Sequence, residues 1–220
     1  MAKWLNTTTE TRGWLLERFA KGTANYWFAF FADFATAMFF LYWELAVNQG
    51  RVLTTVAMFG LGFVLWGLTE YVFHRWVYHQ DEGIFGDGHR IHHTQAETLI
   101  AMPWFMTTMT MFLLWYLAGH TLGIPYFSSV LAGWLVGFVW YSLVHHSHHH
   151  WTLRGSWIRR LKAYHRVHHQ FPGHNYGVTM RMWDIVFRTQ YRKPVSGQNP
   201  DVMPGEGFAE NRREPALADA

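Results

Sequence analysis

Four long apolar stretches constrain the fold of this chain more than any other feature. They span residues 25–47, 52–73, 99–119 and 124–144, which makes 87 of the 220 residues, and hold only three charged residues, Asp33, Glu44 and Glu70. A surface helix of a soluble protein carries a polar face, whereas these stretches are apolar all round. Each has 21 to 23 residues, and a helix needs about 20 to cross a bilayer.

A chain of this length has too little other material to bury four such helices inside a soluble protein. We therefore expect an all-α integral membrane protein with four transmembrane helices and a cytoplasmic helical cap. The expected divisions are an interfacial segment at 1–24, the membrane core with its cap at 25–193, and a poorly ordered tail at 194–220 that is rich in proline, glycine and charge.

Lysine and arginine predict the orientation. The links 48–51 and 120–123 are long enough only for a reversal, so both termini and the connection 74–98 share one side of the membrane. That side carries 17 of the 18 basic residues, and the positive-inside rule makes it cytoplasmic. The small size and the lack of a retention signal favour a bacterial inner membrane over the endoplasmic reticulum.

Histidine supplies the chemical signal. Fourteen of the 15 histidines fall on the predicted cytoplasmic side: thirteen in clusters at 74–79, 89–93, 145–150 and 165–169, and His174 by itself. Residues i, i+3 and i+4 share one face of a helix, so each HXXHH triplet is expected to aim three imidazoles in one direction. The candidate metal ligands are His74, His79, His89, His92, His93, His145, His149, His165, His168 and His169.

Ten ligands are too many for one ion, but they give five to each of two ions and leave one open position on each. The absence of cysteine excludes thiolate sites, and ligation by nitrogen alone suits iron, zinc, copper or nickel. An open position on iron suits O2. His74 and His79 are five residues apart, about 140° around an α-helix, so they converge only if the helix distorts or if they serve different metals.

A metal transporter is the alternative class. It would place ionisable groups midway along the spans to line a path, and the middles of the third and fourth predicted spans contain none. An enzyme is therefore favoured over a transporter.

The order HX4H, HXXHH, HXXXH, HXXHH resembles the membrane fatty acid hydroxylase/sterol desaturase superfamily over roughly residues 53–191. The segments 141–145, 161–169, 175–178 and 183–184 are most similar to its fatty acid 2-hydroxylase branch. The resemblance implies two iron ions, held by the ten histidines, that activate O2 as co-substrate and insert one oxygen atom into a lipid C–H bond. Zinc can occupy such a site in purified protein, because imidazole binds both metals.

Three features depart from the family pattern. The gap between His79 and His89 is short. No fused cytochrome b5 domain is expected, so electrons are expected from a separate cytochrome b5-like protein or a ferredoxin and its reductase. The third histidine cluster is crowded: His145 with His149 is chosen because Tyr141 precedes His145 by four residues, as in the family that the sequence resembles. His146 with His150, or His148, are the alternatives.

Three further side chains are candidates for the site. Tyr141, one turn before His145, either faces the substrate or is an interfacial aromatic residue. Glu70 and Asp184 are expected to orient ligand imidazoles, with a salt bridge or a helix cap as the alternative for Asp184.

Hydroxylation of a fatty acyl chain at C2 is the favoured reaction. The alternatives within the superfamily are carotenoid or sterol hydroxylation and desaturation. The expected partners are a lipid substrate, the membrane and the electron donor, and no nucleic acid. A basic stretch at 154–166 is suited to anionic headgroups or an acidic donor.

Overall fold

The computed structural model describes residues 19–79 and 83–193, and this part of the chain is helical with no strand. Most of the predicted interfacial segment and all of the predicted tail lie outside the described residues. Three helices end in a π-helical turn. The elements are α1 (Thr23–Tyr42, then Trp43–Val47), α2 (Val52–Val72, then Phe73–Tyr78), α3 (Ile84–Thr94), α4 (Trp104–Leu114, then Trp115–Thr121), α5 (Phe127–His150), α6 (Ser156–Gln170) and α7 (Met182–Val186).

Three of the described helices are long and apolar enough to cross a bilayer. With their π turns, α1 and α2 have 25 and 27 residues, and α5 has 24. Large apolar side chains on these helices point outward: the exposed fraction is 66% for Phe31 and 83% for Leu53. Apolar surface of this kind is unfavourable in water and favourable against lipid, which indicates a membrane protein.

The third predicted span is shorter in the structure than the sequence suggests. Residues 99–103 are not helical and lie against the start of α1, where the Asn25 amide donates to the carbonyl oxygen of Met102 at 3.2 Å. The Asn25 side-chain oxygen accepts from the backbone N–H of Trp104 at 3.1 Å, so α4 begins there, directly after Pro103. Its 11 α-helical and 7 π-helical residues make it shorter than α1, α2 and α5.

Glycines allow α2 and α5 to run side by side in the same direction with their backbones in contact. A Cβ atom on Gly62 or Gly133 would lie 2.0 or 1.9 Å from a carbonyl oxygen of the facing helix, and one on Gly137 would lie 2.6 Å from a tryptophan side chain of α2. Gly133 and Gly137 therefore permit close packing of the two helices. Gly62 precedes His74 by twelve residues, and Gly133 precedes His145 by twelve residues. Since the two glycines lie at the helix contact, the two histidines lie at similar levels along the helix axes.

The short helices gather at the end of the spans where α2 and α5 terminate. Helix α3 packs against the π turn of α2, α6 packs against α5, and α7 packs against α2. The apolar core lies further along the spans, between α1, α4 and α5. Its buried members are Ala37, Phe40, Met111, Leu131, Ala132 and Leu135.

Candidate metal centre

The structure brings all ten predicted histidines together, in two groups of five. Each member offers one ring nitrogen, and within a group these nitrogens all lie within 4.8 Å of one another. The first group consists of His74, His79, His89, His93 and His168, and the second of His92, His145, His149, His165 and His169.

Each HXXHH triplet divides between the two groups, which corrects the expectation that its three rings aim in one direction. His89 and His93 join the first group, whereas His92 joins the second. In the other triplet His168 is separated from its neighbours in the same way. The cause is helical geometry. At about 100° per residue, position i+4 is rotated about 40° from i in one direction, and i+3 is rotated about 60° from i in the other direction. The side chains at i+3 and i+4 therefore point about 100° apart.

A π-helical turn brings His74 and His79 into the same group. The turn covers Phe73–Tyr78, and in a π-helix the i to i+5 hydrogen bond places residues five apart one above the other. The two rings stack with centroids 5.4 Å apart and an interplanar angle of 18°. This is the helix distortion that the five-residue spacing required.

The spacing of the ring nitrogens fits a cation in the first group. The Nε2 atom of His89 lies 3.1 Å from that of His74, 3.2 Å from that of His79 and 3.0 Å from that of His93. One proton cannot satisfy four nitrogen lone pairs that face each other. Two nitrogens bound at a right angle, each about 2.1 Å from one ion, are about 3 Å apart.

The second group has the same geometry around His165. Its Nε2 atom lies 3.1 Å from that of His145 and 3.0 Å from those of His149 and His169. Both groups therefore fit a metal bound through nitrogen.

Burial keeps these imidazoles neutral. Removal from water, reinforced by neighbouring imidazoles, lowers the pKa of His79 to about 4, of His93 to about 3 and of His92 to about 2. The pKa of His168 is lowered to about 3 by the same burial. A metal binds only the unprotonated ring, so at neutral pH these side chains are in the ligating form.

Two backbone carbonyl groups fix the orientation of ligand rings in the first group. Nδ1 of His74 donates to the carbonyl oxygen of Tyr176 at 2.5 Å, and Nδ1 of His168 donates to that of His174 at 2.7 Å. Because a carbonyl oxygen only accepts, the proton of each ring sits on Nδ1. The Nε2 lone pair is then left for the centre of the group.

Glu70 acts on this arrangement through the backbone, and its described hydrogen bonds go to a loop rather than to an imidazole. Its Oε1 accepts from the backbone N–H groups of Val178 and Thr179 at 2.6 and 3.0 Å, and its Oε2 accepts from the Thr179 hydroxyl at 2.5 Å. The carboxylate therefore anchors the loop whose Tyr176 carbonyl holds His74.

Asp184 anchors the same loop from the other side. Its Oδ1 accepts from the N–H of Tyr176 at 2.9 Å and its Oδ2 from that of Gly177 at 2.8 Å, and the Thr189 hydroxyl donates to Oδ1 at 2.7 Å. Asp184 is fully buried. The described hydrogen bonds of Asp184, like those of Glu70, reach no imidazole directly.

The structure distinguishes the alternatives in the third histidine cluster. His145 and His149 belong to the second group, whereas His146 hydrogen-bonds through Nδ1 to the Tyr26 hydroxyl at 2.9 Å. His150 stacks on His146 with centroids 4.4 Å apart. His148 is buried with its ring centroid 5.3 Å from that of His165, but it joins neither group.

Tyr141 lines a cavity beside the second group. Its ring stacks on His145 with centroids 5.6 Å apart and an interplanar angle of 25°. The cavity runs between α1 and α5 and reaches histidines of both groups. Its lining includes Tyr26, Phe30, Asp33, His89, His92, Thr107, Phe138, Tyr141, Ser142, His145 and His149.

Sequence reasoning missed two parts of the site. The first part is the pair of backbone carbonyl groups of Tyr176 and His174 that accept from His74 and His168. Every residue has a backbone carbonyl group, so no sequence pattern predicts this role. The α1 wall of the cavity was also missed, although Asp33, a charged residue type inside an apolar stretch, was a visible signal.

A model of the fatty acid hydroxylase family matches residues 59–189, which include all ten clustered histidines. The chain belongs to the fatty acid hydroxylase family. The family predicted from the four histidine clusters is thereby confirmed.

The relatives within the family are named as hydroxylases. The dihydroceramide fatty acyl 2-hydroxylase FAH2 of Arabidopsis thaliana is 28% identical over 66% of this chain and 66% of its own length. The ceramide very long chain fatty acid hydroxylase scs7 of Schizosaccharomyces pombe is 30% identical over 61% of this chain and 42% of its own length. This chain thus matches only part of each relative. Both relatives are eukaryotic, so they do not support the preference for a bacterial membrane.

A solved structure shares the fold. The structure described as full-length scs7p, in which only the hydroxylase domain is visible, matches with a TM-score of 0.66 and 27% identity. The match covers 80% of this chain and 70% of the other.

Proposed function

We propose that this protein is a membrane-bound, di-iron, O2-dependent hydroxylase that inserts oxygen into a C–H bond of a fatty acyl chain. The observation that carries the proposal is the position of the two five-histidine groups beside a cavity that runs between the apolar helices α1 and α5 and is lined by histidines of both groups. The names of the relatives favour C2 as the position of attack.

The ten clustered histidines are the proposed ligands, five for each ion. Neutral imidazole suits iron, and it also accepts zinc. When bound, the two ions supply the redox chemistry that activates O2. The electrons come from a separate donor, a cytochrome b5-like protein or a ferredoxin with its reductase.

The protein itself positions the chain and excludes water. Phe30 on α1 and Phe138 on α5 line opposite sides of the cavity, and Tyr141 lies between Phe138 and the ring of His145. A hydrocarbon chain placed against these rings brings one carbon to the histidine groups, and Tyr141 is the side chain that we assign to contact it.

The orientation follows from the basic residues. We propose that α4 also crosses the membrane, as the third of four spans in chain order. The metal centre then lies at the cytoplasmic face, on the side that holds 17 of the 18 lysine and arginine residues. Residues 1–24 and 194–220 flank this membrane core on the same side.

Lipid mass spectrometry of host membranes with and without the protein tests the proposal. Wild type should add the mass of one oxygen atom to an acyl lipid, and fragmentation should place it at C2. His168→Ala should abolish this product and lower the iron content. His120→Ala is the matched control, because His120 is exposed and stacks near Trp115 in the π turn of α4, outside both groups.

Other mass changes would indicate one of the alternative reactions or substrates. A loss of two hydrogen atoms would indicate desaturation, and a new oxygen on a sterol or carotenoid would indicate a different lipid substrate. A change in cellular iron or zinc without any lipid product would favour metal transport and contradict the proposal.

A further inference from the structure

The cavity wall includes hydrogen-bonding side chains that the proposed chemistry does not use. They come from three helices: Asp33 from α1, Thr107 from α4 and Ser142 from α5. Asp33 is the most informative of the three, because it is only 4% exposed and its Oδ1 atom is buried without a hydrogen bond. A buried polar group without a partner is unfavourable, and an ionisable residue inside a span is a functional candidate.

The depth of Asp33 separates it from the metal centre. It follows Tyr26 by seven residues of α1, which is about 10 Å along the helix axis. Tyr26 marks the level of the metal centre, because its hydroxyl bonds to His146, the neighbour of His145. Tyr26, Phe30 and Asp33 all line the cavity, so the carboxyl group belongs to the wall that a bound chain would pass.

We propose that Asp33 binds a hydroxyl or carbonyl oxygen carried partway along the hydrocarbon chain of the substrate. This inference rests on the proposed function, which places the reacting carbon at the histidine groups. The oxygen then lies about 10 Å from that carbon. The substrate class is an acyl lipid with a second oxygen function in its chain.

The polar groups argue against a plain hydrocarbon chain. Methylene groups packed against Asp33 would leave its carboxyl group buried without a hydrogen bond, at a cost to binding. Sites built to hydrogen-bond a substrate hydroxyl reject analogues that lack it more strongly than apolar pockets reject an extra methylene. The cavity should therefore discriminate between chains that differ by one oxygen.

Binding of two fatty acids to the purified full-length protein in detergent tests this inference without turnover. The probes are stearic acid and its derivative with a hydroxyl on the tenth carbon, followed by tryptophan fluorescence. Wild type should bind the hydroxylated acid at least about tenfold more tightly. Asp33→Asn, which keeps a hydrogen-bonding group, should retain most of the preference, and Asp33→Leu should abolish it.

A lipid-facing residue of the same helix provides the control. Phe34 is 48% exposed, so Phe34→Leu should leave the preference at its wild-type value. Equal binding of the two acids by wild type would mean that the polar wall holds only water and would overturn the inference. A preference that survives in Asp33→Leu would overturn it as well.

The outcome is separable from that of the proposed function. If neither acid is oxidised in a reconstituted assay but the binding preference follows Asp33, the proposed hydroxylation fails and the polar subsite stands. If acyl chains are hydroxylated with no preference in binding, the subsite fails and the hydroxylase stands.

Discussion

The imidazole of His74 is held by the backbone of Tyr176, which lies 102 residues later in the chain. Nδ1 donates to the carbonyl oxygen at 2.5 Å, and this bond aims Nε2 at the first histidine group. The loop that carries the carbonyl is held by two buried carboxylates, Glu70 and Asp184. The geometry of one metal group therefore depends on residues whose described hydrogen bonds reach no imidazole.

Glu70→Ala should weaken metal binding in the first group about 10- to 100-fold, the range found for residues that support metal ligands. The loss of the carboxylate leaves the N–H groups of Val178 and Thr179 without an acceptor. Glu70→Gln should be mild, because Oε1 accepts both N–H groups and the amide can donate to the Thr179 hydroxyl. Metal content after dialysis against a graded chelator series measures the difference, and equal losses in both variants would contradict it.

Asp184→Asn should be more damaging than Glu70→Gln. Each carboxylate oxygen of Asp184 accepts a backbone N–H, from Tyr176 and from Gly177. Asparagine has a single acceptor oxygen, so its NH2 group would point at one of these two backbone N–H groups, and two donors would face each other. Thermal unfolding in detergent and metal content should both fall, and a variant with wild-type values would show that the loop does not depend on this residue.

Metal stoichiometry should follow the spatial groups and not the order of the sequence. The double variant His93→Ala with His168→Ala removes two ligands from the first group and should retain about one ion per chain. The double variant His92→Ala with His93→Ala affects both groups and should lose most of both ions, although the two residues are adjacent. Elemental analysis of the purified variants distinguishes these outcomes, and identical stoichiometry would contradict the grouping.

Removal of the metal should destabilise the protein. Without a cation, the Nε2 lone pairs about His89 and His165 face each other at 3.0 to 3.2 Å. A ligand that binds only the folded state raises the free energy of unfolding by about 2.7 kcal/mol when its concentration is about 100 times its Kd. A chelator should therefore lower the unfolding temperature, and Fe²⁺ or Zn²⁺ should restore it where Mg²⁺ does not. An unchanged unfolding temperature after complete metal removal would count against two bound ions.

Gly133→Leu should separate α2 from α5 and destabilise the fold by about 3 kcal/mol or more, because even a Cβ at this position would lie 1.9 Å from the carbonyl oxygen of Phe59. Gly60→Leu is the control, since a Cβ there meets no atom within 4 Å. Unfolding temperature and metal content should fall together in the first variant only. Comparable loss in the Gly60 variant would show a general effect of replacing glycine in these helices.

The sequence by itself determined the helical membrane character and the family. Hydrophobic stretches long enough to span a bilayer are a local property of the chain, as is the i, i+3, i+4 spacing of clustered histidines. Local signals were weakest at the element ends. Residues 99–103 are apolar, but the hydrogen bonds of Asn25, far away in the chain, start α4 only at Trp104.

Only the tertiary structure decided how the histidines are shared and what holds them. The division of each triplet between the two groups depends on which histidines lie on the other sides of α3 and α6. The pairing of His74 with His79 depends on a π turn. The support of His74 comes from a backbone carbonyl, a group that every residue possesses and that no sequence pattern marks. Asp33 was visible as a charge in an apolar stretch, but its place in the cavity wall required α1, α4 and α5 to be packed together.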